Sequence, residues 1–546
     1  MIASVTESAA PTRRDWLGLA TLAAGLGMIV LDGTIVAVAL PAVIADLDLD
    51  LTDAQWVNSS YAVVLAGSLL AAGRLADRWG RRAMFLAGLV VFIAGSLLAA
   101  TAGSAGALIG ARVVQALGAA GILPSTLSTV NATFRGRYRA AAFGVWGAVI
   151  SGAAAVGPLA GGALTSYASW RWIFLVNAPV CAVVLLAALV TVRPTRGAAT
   201  GRGADVDGTL LSGLGLGALV FAVIEGPRLG WWAPQAELTV LGRTWGVDAP
   251  VSVVPILLLV AAALLVLFVV RERHRLRVGR SVLLDLSLFR LPTFTWGNLT
   301  AAAVAVGEFA IVFTLPLYLV NARGLDVMTA GWVLAAMALG AFVAGAAARH
   351  LADRIGAPGV VLVGLGMELA GVLLVVLAAG PATAAWLIAA PLVLYGLGLG
   401  LASAQLTGTV LRDVPTEVSG QGSATQSTVR QVGSALGTAL AGSALSLALA
   451  LTLPAALSGA GLDGPQLDQV AGATRTSAGS MIAQLRAAGS SSPFGADTGQ
   501  VVTALTQGFA DATRITLATA AVFLLVGLVG ALRVWLVARR PAPSTG

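Results

Sequence analysis

The stretch "GRLADRWGRR", Gly73 to Arg82, lies between two long apolar runs and decides how the rest of the chain is interpreted. It places one aspartate and four arginines in ten residues, although charged residues make up only 11% of the chain. A soluble globular protein carries about 25% charged residues. The fold must therefore account both for a very apolar chain and for this dense charged turn.

The composition indicates a membrane protein. Apolar residues make up 58% of the 546 residues, and the mean hydropathy is +0.89. A membrane-spanning helix needs about 20 mostly apolar residues, and such runs recur along nearly the whole chain. The runs lack the period-two alternation of a membrane β-barrel. We therefore expect an all-α polytopic membrane protein rather than several soluble domains.

The apolar runs predict fourteen membrane-spanning helices. The first contains Asp32 and is too long for the apolar core of a cleaved signal peptide, so we interpret it as a helix. The single cysteine, Cys181, excludes an intrachain disulfide. The predicted spans are 15–40, 54–74, 83–103, 106–130, 139–164, 171–192, 207–225, 251–271, 293–320, 328–349, 358–379, 385–411, 419–452 and 515–537.

The arginines follow an alternating pattern along the predicted turns. The first turn, "ADLDLDLTD", has four aspartates and no arginine, and the next turn is the opening stretch. Later turns on the same side, "FRGRYR" and "RERHRLRVGR", hold three and five arginines. Cytoplasmic loops carry the excess of arginine and lysine. The pattern predicts a multi-pass membrane protein with both termini in the cytoplasm, and we expect the membrane to be the bacterial plasma membrane.

The opening stretch has a second copy, "ARHLADRIGAPG", at residues 348–359. The copies lie at equivalent places in two six-helix halves if the seventh and eighth helices are an insertion, and parallel six-helix repeats are typical of one class of secondary transporter. We predict an N-terminal bundle at 1–192, a linker with two inserted helices at 193–280, and a C-terminal bundle at 281–546. A long outer loop at about 453–513 is interpreted as loosely ordered rather than as a lid or docking element.

Four motifs resemble those of the major facilitator superfamily, in its fourteen-helix drug:proton antiporter branch. "LDGTIVAVALP" resembles the first-helix motif, the opening stretch motif A, "ARVVQALGAAGILP" motif B and "GAVISGAAAVGPLAGGAL" the antiporter motif C. The resemblance implies a major facilitator fold, with two six-helix bundles plus two inserted central helices. It also implies proton-coupled drug export by alternating access.

The resemblance assigns roles to two groups of small and charged residues. Motif A gates the transporter, and its second copy is degraded because Arg349 stands where the first copy has Gly73. Motif C packs its helix against the other half. The gating residues are Gly73, Asp77, Arg78, Gly80 and Arg81, with Asp353 and Arg354 in the second copy, and the motif C residues are Gly152, Gly157, Pro158, Gly161 and Gly162.

Ionisable residues inside the predicted spans are the candidates for proton coupling, because such groups are costly in a membrane and mark functional sites. Asp32 and Arg112 lie at similar predicted depth on the first and fourth helices, where they form either a coupling pair or a purely structural ion pair. Glu308, near the middle of its span, is expected to carry a proton or meet a cationic substrate, unless a neighbouring helix satisfies it. Secondary candidates are Glu368, Arg430 and Glu225, the last as an interface residue.

Aromatic and amide side chains are candidates for the substrate chamber, because aromatic faces suit flat, lipophilic cations. They are Asn58, Tyr61, Gln115, Trp146, Phe309 and Phe313.

The expected function is proton-coupled efflux of lipophilic, cationic drugs by a monomer, with small molecules, protons and the bilayer as its partners. No nucleotide-binding or metal-binding motif is present, so we expect neither an enzyme nor a cofactor. The sequence pI of 10.8 reflects arginines at helix ends rather than nucleic-acid binding. The alternatives are a dedicated exporter of one natural product or metabolite, and a membrane receptor or scaffold that does not transport.

Overall fold

The computed structural model describes residues 11–134, 137–196, 205–240, 242–280, 282–415 and 418–539. Thirteen helices in these ranges are long and apolar enough to cross a membrane, and the remaining predicted span corresponds to α5. The predicted all-helical membrane architecture is therefore confirmed. Most of the predicted linker after the first bundle, at 197–204, lies outside the described residues.

Each half contributes six spans, and a helix pair lies between them. The N-terminal spans are α1 (Arg13–Leu47), α2 (Leu51–Trp79), α3 (Arg81–Ala100), α4 (Ala105–Thr133), α5 (Arg137–Tyr167), and the short α6 (Trp172–Leu175) followed by α7 (Asn177–Thr191). The inserted pair is α8 (Val206–Leu229) and α9 (Val253–Arg277), joined by the antiparallel strands β1 (Leu238–Val240) and β2 (Arg243–Trp245). The C-terminal half comprises α10 (Pro292–Leu317), α11 (Val327–Ile355), α12 (Ala357–Ala378), α13 (Ala385–Val410), α14 (Ser419–Gly459), α15 (Gly464–Thr476), α16 (Ser480–Ala488) and α17 (Thr498–Ala538).

The two copies of the opening motif form the same turn between helices. Gly80 joins α2 to α3 with a φ of +113°, and Gly356 joins α11 to α12 with a φ of +75°. Only the first copy adds a charged network, in which Arg81 binds Asp77 at 2.9 Å and donates to the Ser128 carbonyl at 2.9 Å. The repeat is therefore a backbone turn in both halves, whereas the arginine network belongs to the first half.

The second copy lacks this network because its sequence ends differently. Ala357 stands where the first copy has Arg81, and the side chains of Asp353 and Arg354 are exposed. Arg78 is likewise exposed. In the first copy, Gly73 lies against α4, where an added methyl group would be in ordinary contact with Cβ of Pro124, at 3.4 Å.

We predict that Gly80→Ala destabilises the protein by about 1–3 kcal/mol, because a positive φ of this kind strains any residue with a Cβ. Crowding adds little, since the added methyl group would meet no atom closer than 3.9 Å. The midpoint of thermal unfolding of the purified protein in detergent measures the effect. Gly103→Ala is the matched control because its methyl group meets nothing within 4 Å. Equal midpoints for both variants would contradict the assignment of strain to this turn.

The prediction of a loosely ordered loop at 453–513 is wrong in two respects: the connecting segment is shorter than predicted, and it is ordered. Helix α14 continues to Gly459 and α17 begins at Thr498, so the connecting segment is 460–497, and it contains α15 and α16. Its apolar residues, such as Val470 and Ile482, are buried in the main core. A polar contact also binds it to the helical turn that follows α10: Asn321 Nδ2 donates to the carbonyl of Ala478, at 2.9 Å.

The buried core connects the two bundles mainly at one end, with a smaller contact of α2 and α8 against α14. We call the end that holds the turns after α2 and α11 the arginine-rich end, and the other the opposite end. At the opposite end, one cluster of buried side chains includes both bundles, as in Leu40, Leu317 and Leu449. Toward the arginine-rich end, the N-terminal cluster around Phe85 and the C-terminal cluster around Phe294 are separate. Apart from the contact of α2 and α8 with α14, the bundles therefore pack together at the opposite end and part toward the arginine-rich end.

Candidate functional site

The N-terminal bundle holds a completely buried ion pair. Nη1 of Arg112, on α4, lies 2.5 Å from Oδ2 of Asp32, on α1, and neither side chain reaches solvent. The pairing expected from the predicted depths of the two residues is thus present in the structure. Because the charges cancel inside the bundle, losing one partner would leave the other charge uncompensated at a cost of about 3–5 kcal/mol.

Amide side chains donate hydrogen bonds to the second carboxylate oxygen of Asp32. Its Oδ1 accepts hydrogen bonds from Asn177 Nδ2 at 2.7 Å and from Gln115 Nε2 at 3.1 Å. Ser96 Oγ accepts from the same two amides. Gln115 is therefore a buried member of this network, not the chamber residue that we expected. The sequence reasoning missed Asn177 and Ser96, although an asparagine within an apolar run was a usable signal.

Arg112 is also enclosed on its other side. Its Nε donates to the Val57 carbonyl at 3.3 Å, and its guanidinium lies 4.3 Å from the centre of the Tyr61 ring. Tyr61 is buried, so its ring covers the cation instead of lining a chamber. Gly33, which follows Asp32 in the chain, faces open space, since an added methyl group there would meet nothing within 4 Å. The pair itself is enclosed within the bundle.

The C-terminal bundle holds a second ion pair, which is accessible. Arg430 Nη2, on α14, lies 3.1 Å from Glu308 Oε2, on α10, and the side chains are 45% and 16% exposed. One turn further along α14, a methyl group at Gly433 would lie 2.6 Å from the Ala302 carbonyl, so the two helices are closely packed there. The other side of α14 packs against α2 and α8. We infer that Arg430 faces the region where the two bundles part.

The two remaining carboxylates have different surroundings. Glu225 accepts hydrogen bonds from Trp56 Nε1 at 3.0 Å and from Arg228 Nε at 2.8 Å, so it joins the inserted helix α8 to α2. Glu368, on α12, is completely buried, and neither carboxyl oxygen has a hydrogen-bond partner among the described residues. Within the described ranges, no three His, Cys, Asp or Glu side chains are placed to hold a metal ion.

The glycines of motif C pack α5 between α1 and α11. A methyl group at Gly161 would lie 2.9 Å from the Ile35 carbonyl of α1, and Gly157 similarly approaches Thr34. A methyl group at Gly162 would lie 3.2 Å from Cα of Met328 on α11. Backbones this close leave no space between the bundles at the opposite end. Gly152, in contrast, faces open space, since an added methyl group meets nothing within 4 Å.

The other chamber candidates are divided between accessible and buried positions. Asn58 and Phe309 are partly exposed, and Phe309 directly follows Glu308 in the chain. Phe313 is buried in the core of the opposite end. The side chain of Trp146 lies outside the described residues. The accessible candidates are therefore Asn58 and Phe309, and Phe309 is the chain neighbour of the paired Glu308.

The comparisons with known proteins agree with the family that the motifs resemble. Residues 22–438 match the family model of the Major Facilitator Superfamily. The chain is 33% identical over 442 residues to the multidrug resistance protein Stp of Mycobacterium tuberculosis, which covers 81% of this chain and 78% of that protein. It is 31% identical over 436 residues to the tetracenomycin C resistance and export protein of Streptomyces glaucescens, covering 79% and 76%.

A solved structure supports the fold independently. The bacterial homologue of the human lysosomal transporter Spinster, in an inward-facing and unoccupied conformation, superposes with a TM-score of 0.60. The alignment covers 98% of this chain and 100% of that one, at 18% identity. The family expected from the motifs is confirmed, and the chain belongs to the Major Facilitator Superfamily of membrane transporters.

Proposed function

We propose that the protein is a proton-coupled exporter of lipophilic drugs, cationic ones above all, and that it works by alternating access. The observation that carries the proposal is that each bundle holds a carboxylate paired with an arginine within its spans, a buried pair in the N-terminal bundle and an accessible pair in the C-terminal one. Ionisable groups at membrane depth are costly and mark proton or substrate paths. The drug-resistance and export functions named for the two relatives support a drug as the substrate.

The proposed orientation follows from the arginines. Arginine-rich turns stay on the cytoplasmic side of the bacterial plasma membrane, which puts the parted end of the bundles and both termini in the cytoplasm. Substrate then enters from the cytoplasm or the inner leaflet. One chain supplies both ion pairs, so a monomer is sufficient for the whole cycle.

The two pairs have different roles in the proposed cycle. Glu308 receives a cationic substrate when Arg430 moves aside, since both side chains are accessible. Asp32 takes up a proton when the other face opens, and it then no longer needs Arg112 as its counter-charge. One pH unit supplies about 1.4 kcal/mol, and 100 mV supplies about 2.3 kcal/mol per charge. Together they sustain a concentration ratio of about several hundredfold for one net charge moved.

One observation favours the second candidate function, a dedicated exporter of an uncharged or anionic natural product. Arg430 is more exposed than Glu308, at 45% against 16%, so a substrate meets the guanidinium first. A guanidinium recognises carboxylate and other acceptor oxygens. The two functions therefore differ in which member of the accessible pair contacts the substrate.

Transport into inverted membrane vesicles tests the proposal, with ethidium as the cationic probe and tetracenomycin C as a probe without an ammonium group. We expect ethidium uptake that depends on an acidic vesicle interior and stops when a protonophore is added. Glu308→Gln should reduce ethidium uptake at least about tenfold, the equivalent of 1.4 kcal/mol of lost binding. Loss of tetracenomycin C uptake in Arg430→Gln, with no ethidium uptake in the wild type, would favour the dedicated exporter. Vesicles without gradient-dependent uptake of either probe would indicate a receptor or scaffold.

A further inference from the structure

Glu368 is a buried carboxyl that the ion pairs described above leave without a partner. It lies in the middle of α12, shielded from solvent, and both its oxygens lack hydrogen-bond donors among the described residues. The hydroxyl of Tyr395, on α13, is likewise buried and has no hydrogen-bond partner in the described part of the chain. A buried ionised carboxylate without a counter-charge or donors is very unfavourable. The position therefore calls for a neutral, protonated carboxyl in this conformation.

The packing of α12 against α13 holds the two side chains in place. A methyl group at Gly371 would lie 2.6 Å from the Tyr395 backbone nitrogen, and one at Gly398 would lie 3.0 Å from Cγ of Glu368. Glu368 and Gly371 share one face of α12, while Tyr395 and Gly398 share one face of α13. The carboxyl and the phenol thus emerge from the same tight interface, which leaves no room for water beside the Glu368 stem.

Around Glu368, its own carboxyl included, there are more acidic groups than basic ones. Among the described residues, the charged groups that act on Glu368 are Glu308, on α10, and Arg430, on α14, and Tyr395 is the ionisable side chain near it on α13. Two carboxyls therefore share one guanidinium. Because Arg430 neutralises Glu308 at 3.1 Å, the second carboxyl is neutral only when it binds a proton.

From this charge balance, and resting on the proposed export function, we propose that Glu368 is a proton-binding site of the C-terminal bundle that releases its proton when a cationic substrate binds Glu308. The substrate cation takes the place of Arg430 at Glu308, and Arg430 turns toward Glu368. The O–H bond of the Glu368 carboxyl breaks, the proton leaves to water in the chamber, and the carboxylate pairs with Arg430. One positive charge enters and one leaves, so the bundle stays neutral.

Proton release on substrate binding tests this assignment. Ethidium is added to the purified full-length protein in weakly buffered detergent solution, and a pH indicator dye counts the protons. We expect Glu368→Gln to bind ethidium but to release one proton fewer than the wild type. The ethidium affinity of this variant should also depend less steeply on pH than that of the wild type, by about a factor of ten per pH unit, as linkage requires for one proton. Glu368→Asp should restore both properties.

The control and the outcomes separate this inference from the proposed function. Asp511→Asn removes a half-exposed carboxylate that pairs with Arg514 at 3.0 Å, and it should release as many protons as the wild type. Equal proton counts for Glu368→Gln and wild type would make Glu368 a permanently neutral structural residue and overturn the inference alone. A wild-type protein that binds ethidium without releasing protons would instead contradict proton coupling itself.

A measurement on the unaltered chain covers the case in which Glu368→Gln does not fold. Dicyclohexylcarbodiimide reacts with protonated carboxyls in apolar surroundings, and peptide mass spectrometry identifies the modified residue. We expect modification of Glu368 at acidic pH, and at least tenfold less modification in the presence of saturating ethidium. Modification that ethidium leaves unchanged would contradict the exchange of proton for substrate.

Discussion

Asp32→Asn is expected to abolish proton-driven efflux, because an amide accepts no proton at the position where Arg112 needs a counter-charge. The same change leaves the guanidinium of Arg112 alone in a completely buried site. Removing one partner of such a pair costs about 3–5 kcal/mol, so the single variant should also lose much of its stability. Uptake into inverted vesicles measures the first effect, and thermal unfolding in detergent measures the second.

The double variant Asp32→Asn/Arg112→Gln separates coupling from stability. Both charges are then absent, and the amides of Gln115 and Asn177 remain to hydrogen-bond the new amide. We expect it to recover most of the lost stability while remaining inactive in proton-driven uptake. Arg112→Gln alone is the matched single variant, since Asp32 keeps its two amide donors. Full transport activity in either variant that lacks Asp32 would falsify its role as a proton carrier and leave the pair purely structural.

Gly331→Ala is expected to open the seal between the bundles at the opposite end. The added methyl group would lie 2.7 Å from the Pro158 carbonyl of motif C, closer than a carbon and an oxygen atom can pack. Overpacking of this kind costs about 1–3 kcal/mol. The cost falls only on the conformation in which α5 and α11 touch. It therefore shifts the balance between the two conformations about 5- to 150-fold toward the one that is open at the opposite end.

Labelling of a single cysteine measures this shift. Cys181 is replaced by serine, and Leu40, which is buried at the opposite end, is replaced by cysteine. A membrane-impermeant maleimide added from outside should label the cysteine at least about fivefold faster in the Gly331→Ala background, which corresponds to 1 kcal/mol. Gly366→Ala is the control, because its methyl group meets nothing within 4 Å. If Gly331→Ala changes the labelling rate no more than Gly366→Ala does, the close contact of α5 with α11 does not control access.

The turns and spans of this chain were predictable because they depend on local sequence. An apolar run of about 20 residues forms a helix in a membrane whatever its neighbours are, since no other structure satisfies its backbone. The turn at Gly80 and its copy at Gly356 could be recognised in the sequence as a repeat, because a turn with this positive φ favours glycine at the same place in both. The pairing of Asp32 with Arg112 followed from their depths along two helices, without knowledge of the helix faces.

The sequence by itself determined the membrane class, the helices, the repeated turn and the family resemblance. The tertiary structure decided which side chains meet: Asn177 and Ser96 lie around Asp32, and Arg430 pairs with Glu308. It also left Glu368 without a hydrogen-bond partner among the described residues and ordered the segment at 460–497. In a soluble helix, an apolar stripe marks the face that is buried. Helices in a membrane are apolar toward lipid as well as toward each other, so their periodicity does not tell which faces touch. Only the packed arrangement of the two bundles sets those contacts.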